Sequence, residues 1–111
     1  MFKSMSDKEF CAIVHAILSG NSVKDICIKK ELEGYFGRSF SSISQRYRRC
    51  MRLSIFAAHD RIVAAKAKRM LKKRQCCEVQ YDLGFKNESY FSRWFRKHTG
   101  TNPGDYRSQK I

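Results

Sequence analysis

The sequence predicts an all-α fold: two helix-turn-helix subdomains joined by a long connecting helix. Three observations lead there. Apolar residues recur at helical spacing, and the alternation that marks strands is absent. Glycine, asparagine and proline sit just outside the apolar runs, where helix caps belong. A stretch of the first half also returns in the second after a shift of 48 residues, without a gap. The expected boundaries are 6–54 for the first subdomain, 55–73 for the connecting helix and 74–108 for the second subdomain.

Residues 6–20, SDKEFCAIVHAILSG, form the first helix. Ser6 and Glu9 make an S-x-x-E capping box, in which each side chain satisfies a backbone N–H left orphaned by the first turn. Phe10, Ile13, Val14, Ile17 and Leu18 share one apolar stripe, and Gly20-Asn21 stops the helix. Ser22 is placed to cap a second helix, VKDICIKKEL, with Ile26 as its core residue. Glu33-Gly34-Tyr35-Phe36-Gly37 reads as a loop, because two glycines punctuate it. A third helix runs from about Phe40 to Met51, with Ile43 and Tyr47 inward and Ser41, Ser44, Gln45 and Arg48 outward. From Ile55 to about Lys73 there is no Gly or Pro, and the alanines and lysines favour helix. Cys76 to Leu83 is a short helix ended by Gly84. Asn87 caps a helix that Gly100 terminates, and Asn102-Pro103 supplies the N-cap and first residue of a last one.

A chain of 111 residues is one compact unit, or two small ones sharing an element. Its 23 Lys and Arg against 10 Asp and Glu leave a formal charge of +13. Self-repulsion of that size works against compactness, so an anionic partner is expected, nucleic acid first and an anionic membrane surface second. Residues 1–34 hold five lysines (Lys3, Lys8, Lys24, Lys29, Lys30) and five acids (Asp7, Glu9, Asp25, Glu31, Glu33), so the excess lies wholly in residues 35–111. The partner is expected there. No apolar run reaches the length of a membrane-spanning helix, and no membrane partner is expected.

The five cysteines, Cys11, Cys27, Cys50, Cys76 and Cys77, are odd in number, form no C-x-x-C pair and follow no signal peptide. A reducing cytoplasm is expected, with most of the thiols acting as small buried hydrophobes. The vicinal pair Cys76-Cys77 is read in the same way rather than as a redox centre. His15, His59 and His98 are scattered, and His15 reads as a helix-surface residue. No nucleophile–base pair or metal-ligand spacing appears, so no enzyme, metal site or cofactor is expected.

The repeat carries the functional reading. SFSSISQRYRRCMRLS (residues 39–54) lies over NESYFSRWFRKHTGTN (residues 87–102). Ser41, Ser44 and Arg48 match Ser89, Ser92 and Arg96, while Ile43, Tyr47 and Arg49 align with Phe91, Phe95 and Lys97. Aromatics spaced i, i+4 are usually core, and Phe91 and Phe95 are expected to pack against the 76–83 helix and the turn around Tyr106. The basic face is different. Its charge is large, one-sided and placed on the second helix of two similar units, the form that fits a DNA major groove.

Gly84-Phe85, Ser89-Tyr90-Phe91-Ser92-Arg93, Phe95-Arg96-Lys97, Gly100, Pro103 and Tyr106-Arg107 together resemble the end motif of the AraC/XylS family of bacterial transcription regulators. The resemblance extends over roughly residues 9–108 and is densest at the C-terminal end. It implies two helix-turn-helix subdomains on a connecting helix. It also implies a short stand-alone member or the DNA-binding half of a longer regulator, since 111 residues leave no room for a small-molecule ligand domain. Three features depart from the family pattern. The turn at residues 33–38 reads as several residues longer, Arg52 stands at the position aligned with Gly100, and the segment after Leu71 is short.

The expected function is a sequence-specific regulator of transcription, an activator, that binds double-stranded DNA in a bacterial cytoplasm, at the nucleoid. Lys and Arg supply phosphate contacts and the recognition helices read base edges. Ser41, Ser44, Gln45 and Arg48 form the first reader, and Glu88, Ser89, Ser92, Arg93 and Arg96 the second. Arg93 and Arg96 can each reach a guanine edge or a phosphate; Glu88 can accept from cytosine or only favour the helix N-terminus. Two alternatives stay open at this point. The neutral N-terminal third could bind RNA polymerase or a coactivator while the second unit alone contacts DNA, or the chain could bind nucleic acid without sequence preference.

Overall fold

The computed structural model describes residues 2–20 and 25–109. Among them lie seven helices and no strand: α1 Asp7–Ser19, α2 Asp25–Phe36, α3 Phe40–Met51, α4 Ile55–Leu71, α5 Cys76–Leu83, α6 Glu88–Thr99 and α7 Pro103–Gln109. The chain divides into two packed units, Met1–His59 and Asp60–Ile111, so α4 gives its first turn to one and the remainder to the other. It ends at Leu71, two residues before the expected Lys73, where the N–H groups of Lys73 and Arg74 turn back to the Met70 carbonyl.

In the first unit, the Ser6 hydroxyl accepts from Glu9 N–H at 3.1 Å while the Glu9 carboxylate accepts from Ser6 N–H at 3.2 Å, the capping box expected at the start of α1. Phe10, Val14 and Leu18 are fully buried; Ile13 and Ile17 flank them half-buried. Ser22 and the side chain of Ile26 lie outside the described residues; among the described side chains of α2, Ile28 and Leu32 are buried in the core. Ile43 and Tyr47 of α3 complete this core. His15 is more than a surface residue: its Nε2 shares a hydrogen bond with the buried Tyr47 hydroxyl at 2.8 Å.

The loop expected from Glu33 to Gly37 is instead the last turn of α2, which runs on through Gly34 to Phe36. A glycine inside a helix costs about 1 kcal/mol, and aromatic packing offsets it. The Phe36 ring lies 5.1 Å from Phe10 and 5.7 Å from Phe2. Glu33 then accepts the Phe40 N–H at 2.8 Å, tying the end of α2 to the start of α3. The connection is therefore Gly37 to Ser39, one residue shorter than the Gly84 to Asn87 turn of the second unit. Gly37 makes the turn with a φ of 64°.

In the second unit, Val63, Ala64, Ala67 and Leu71 of α4 are buried together with Val79 and Leu83 of α5 and Phe91, Trp94 and Phe95 of α6. Phe85, in the turn between α5 and α6, is the hub. Its ring centroid lies 4.9 Å from Phe91, 5.0 Å from Trp94 and 5.7 Å from Tyr90. Gln80 holds the turn by donating to the Phe85 carbonyl at 2.6 Å. Phe95 meets Tyr106 of α7 at 5.8 Å, as the aromatic spacing predicts. Asn102 caps α7 by accepting the Asp105 N–H at 2.8 Å.

The cysteines depart from the expected burial. Cys11, Cys50 and Cys76 are half-buried and Cys77 is exposed, all four as free thiols, so none of them is a fully buried hydrophobe. Burial first, and then the Glu88 carboxylate, push the Cys76 thiol up, away from the reactive thiolate.

Arg52 closes α3 in the left-handed conformation, φ 56°, with its N–H donating to the Arg48 carbonyl at 2.8 Å; Gly100 closes α6 in the same way. The aligned arginine thus preserves the glycine's geometry under strain. A left-handed L-residue costs roughly 1–2 kcal/mol, part of which glycine returns as unfolded-state entropy. Arg52→Gly should therefore stabilise the fold by about 0.5–1 kcal/mol, read as a higher urea midpoint at unchanged slope. A lower midpoint would mean that the arginine side chain contributes more than the strain it carries.

Candidate nucleic-acid interface

Helices α3 and α6 start and end in register, offset by 48 residues at both ends. Ser39 and Asn87, again 48 apart, cap them by accepting the N–H of Ser42 at 3.3 Å and of Tyr90 at 2.8 Å. Each buries three residues at matched positions: Ile43, Arg46 and Tyr47 in α3, and Phe91, Trp94 and Phe95 in α6. The depth and rotation of both helices within their own units are set by these matched positions.

The opposite faces carry the residues singled out from the sequence. Ser41, Gln45 and Arg48 are exposed on α3, and Ser89, Arg93 and Arg96 at the matched places on α6. Ser44 and Ser92 are half-buried, at the flank of each face. Glu88 is exposed in the first turn of α6, where a carboxylate also favours the helix N-terminus. Gln45 Nε2 donates to the Ser41 hydroxyl at 3.3 Å, which orients the amide along the helix surface and leaves its oxygen free to accept. Two basic residues were not among the expected readers: Arg49 and Lys97, exposed at matched positions beside Arg48 and Arg96. Their alignment in the repeat was the available signal.

Arg46 is the residue whose role the sequence did not show. It is matched to Trp94, and both are 8% exposed. Trp94 is enclosed by Phe85 and by His98, whose ring lies 4.8 Å away. Arg46 is enclosed by Phe10 and Phe2, its guanidinium 4.7 and 5.0 Å from their ring centroids. The guanidinium donates to the Phe2 and Met5 carbonyls, and to the Asp7 carboxylate at 3.0 and 3.2 Å. The hydrogen bond from Arg46 leads the causes that hold the Asp7 carboxyl below its ordinary value. A buried charge is tolerated here because every face of it is occupied.

Residues 32–109 match the sequence profile of a family described as helix-turn-helix domain. The chain belongs to the AraC/XylS helix-turn-helix family. Members are DNA-binding transcription regulators rather than enzymes, and so is this chain a DNA-binding regulator. Its fold is similar to that of the C-terminal domain of AraT, a response regulator from Geobacillus stearothermophilus, with a TM-score of 0.80 at 17% identity over 92% of this chain and 86% of that one. No curated protein matches the sequence. The profile begins at residue 32, after α1 and the first seven residues of α2. No described helix is long and apolar enough to cross a membrane.

Proposed function

We propose that this chain is a sequence-specific regulator that reads the major groove of double-stranded DNA with α3 and α6 and acts as an activator at the nucleoid of a bacterial cytoplasm. Residues 6–54 and 74–108 would be the two reading subdomains and residues 55–73 their connection. The observation that supports this best is the matched pair of surfaces: two helices, each fixed by a buried triad, each offering serines and basic or amide groups at the same positions. Gln45 suits an adenine edge, Arg93 and Arg96 suit guanine or phosphate, and Ser41, Ser44, Arg48, Glu88, Ser89 and Ser92 complete the two contact faces. The activating sense rests on the AraC/XylS family. The charge-neutral first 34 residues offer a surface that DNA does not attract, suited to RNA polymerase or a coactivator.

Arg93→Ala tests the second reader. Arg93 is exposed, so the fold should stay intact. On a duplex enriched from a random pool, the change should cost about 1–3 kcal/mol and relax preference at one base if Arg93 reads a guanine. If Arg93 meets only phosphate, binding should weaken evenly and the salt slope should fall by about 1. Unchanged affinity for every duplex would remove α6 from the interface.

A further inference from the structure

Between Arg61 and Arg74 the chain carries seven bases and no acid. Helical spacing gathers Arg61, Ala65, Lys68 and Arg69 on one side of α4, away from the buried Val63, Ala64, Ala67 and Leu71, and Lys72 follows directly after the helix ends. Arg61, Ala65, Arg69 and Lys72 are exposed and Lys68 is half-buried. None of the four bases, Arg61, Lys68, Arg69 and Lys72, takes part in the ion pairs among the described residues. The single acid of α4, Asp60, faces His98 at 3.7 Å, off the stripe. A merely solvated helix face tends to alternate its charges at i, i+4 spacing; this one does not. Ala65 at its centre leaves room for close approach.

The stripe runs into a cleft of about 330 Å³ lined by Leu71, Lys72, Cys76, Gly104, Arg107 and Ser108. Arg107 Nε donates to the Leu71 carbonyl at 3.3 Å. That bond anchors the guanidinium at the end of α4 and leaves both terminal nitrogens for another acceptor. Two cations on one concave, polar surface suit a phosphate oxyanion. From Arg61 to Arg69 the helix rises about 12 Å, a span along which one strand of a duplex presents on the order of three phosphates.

We infer that α4 is itself a DNA-contacting element, with Arg61, Lys68, Arg69 and Lys72 tracking a phosphate backbone that ends on Arg107. The inference rests on the reading of the chain as a duplex binder, and it assigns to the connecting helix a share of the affinity that carries no sequence preference.

The test is a salt titration of the full chain on two duplexes, one enriched from a random pool and one of random sequence. The stripe variant is Arg61→Gln, Arg69→Gln and Lys72→Gln together. A control variant, Lys3→Gln, Lys8→Gln and Lys30→Gln, removes the same charge from exposed sites in the neutral N-terminal third. The slope of log K against log salt should be shallower for the stripe variant by about 2.7, or about 0.9 for each lost phosphate contact, on both duplexes alike. The control should keep the wild-type slope. A stripe variant with the wild-type slope, or equal losses in the two variants, overturns the inference while leaving the wild type's DNA binding in place. A wild type that binds neither duplex overturns the duplex-binding reading itself.

Discussion

Phe95→Ala unfolds the second unit at a temperature where the wild type is folded. Phe95 is fully buried between Phe91 and Tyr106, with centroid separations of 5.8 Å to each. Its backbone is also engaged, since the Thr99 hydroxyl donates to the Phe95 carbonyl at 2.8 Å, so the helix has little freedom to collapse into the space left behind. Truncating a phenylalanine in such a site costs about 3–5 kcal/mol. Small domains hold only about 5–15 kcal/mol in all, and a unit of this size sits near the lower end. The thermal midpoint followed by circular dichroism should fall by at least about 12 °C. A retained midpoint with lost DNA binding would place Phe95 on the DNA side of α6 and reverse the assignment of its two faces.

Arg46→Ala has the second-largest expected effect, about 2–4 kcal/mol of stability lost from the first unit. The change removes the bonds to Phe2, Met5 and Asp7 and uncovers the rings of Phe2 and Phe10. Arg46→Lys should recover only part of the loss, because an ammonium lacks the planar fork that reaches three partners at once. The effect has a pH signature. The Asp7 carboxyl is lowered by Arg46, so the pair's contribution is complete above the ordinary carboxylate pKa of about 4 and is lost as pH falls through the lower folded value. The gap in midpoint between wild type and Arg46→Ala should be constant from neutral pH down to about 4 and narrow below it. Equal stability of Arg46→Ala and wild type near neutral pH would show that residues 2–7 do not depend on this clamp.

The difference between Phe95 and Arg46 shows what was legible in the sequence. Phe95 is fixed by local pattern: a period of four from Phe91, a cap at Asn87 and a stop at Gly100 place it before any tertiary contact is known. The same local signals give the limits of α1, α3 and α5 and the start of α7. Arg46 owes its burial to Phe2, Met5 and Asp7, about forty residues earlier in the chain, and a basic residue in a basic helix gives no local hint of that. Gly34 misled for a related reason, since its helix-breaking tendency is local whereas the packing of Phe36 on Phe10 and Phe2 is not. Arg52 departs from the glycine expected at its position yet holds the same left-handed geometry, which composition alone would not anticipate. For the interface, the 48-residue repeat brought out Ser41, Ser44, Gln45 and Arg48 with their partners on α6. It also aligned Arg49 with Lys97, which lie outside the expected readers although both are exposed, and the basic side of α4 has no counterpart in the repeat.

The central claim is that this chain distinguishes one DNA sequence from another. The most direct measurement is a competition titration of the unmodified protein, at one fixed salt concentration, between a duplex enriched from a random pool and a duplex of random sequence. The account predicts binding to the enriched duplex at least about a thousandfold tighter, the lower bound usual for specific recognition. Equal affinity for the two duplexes would contradict it and leave a protein that holds DNA by charge alone.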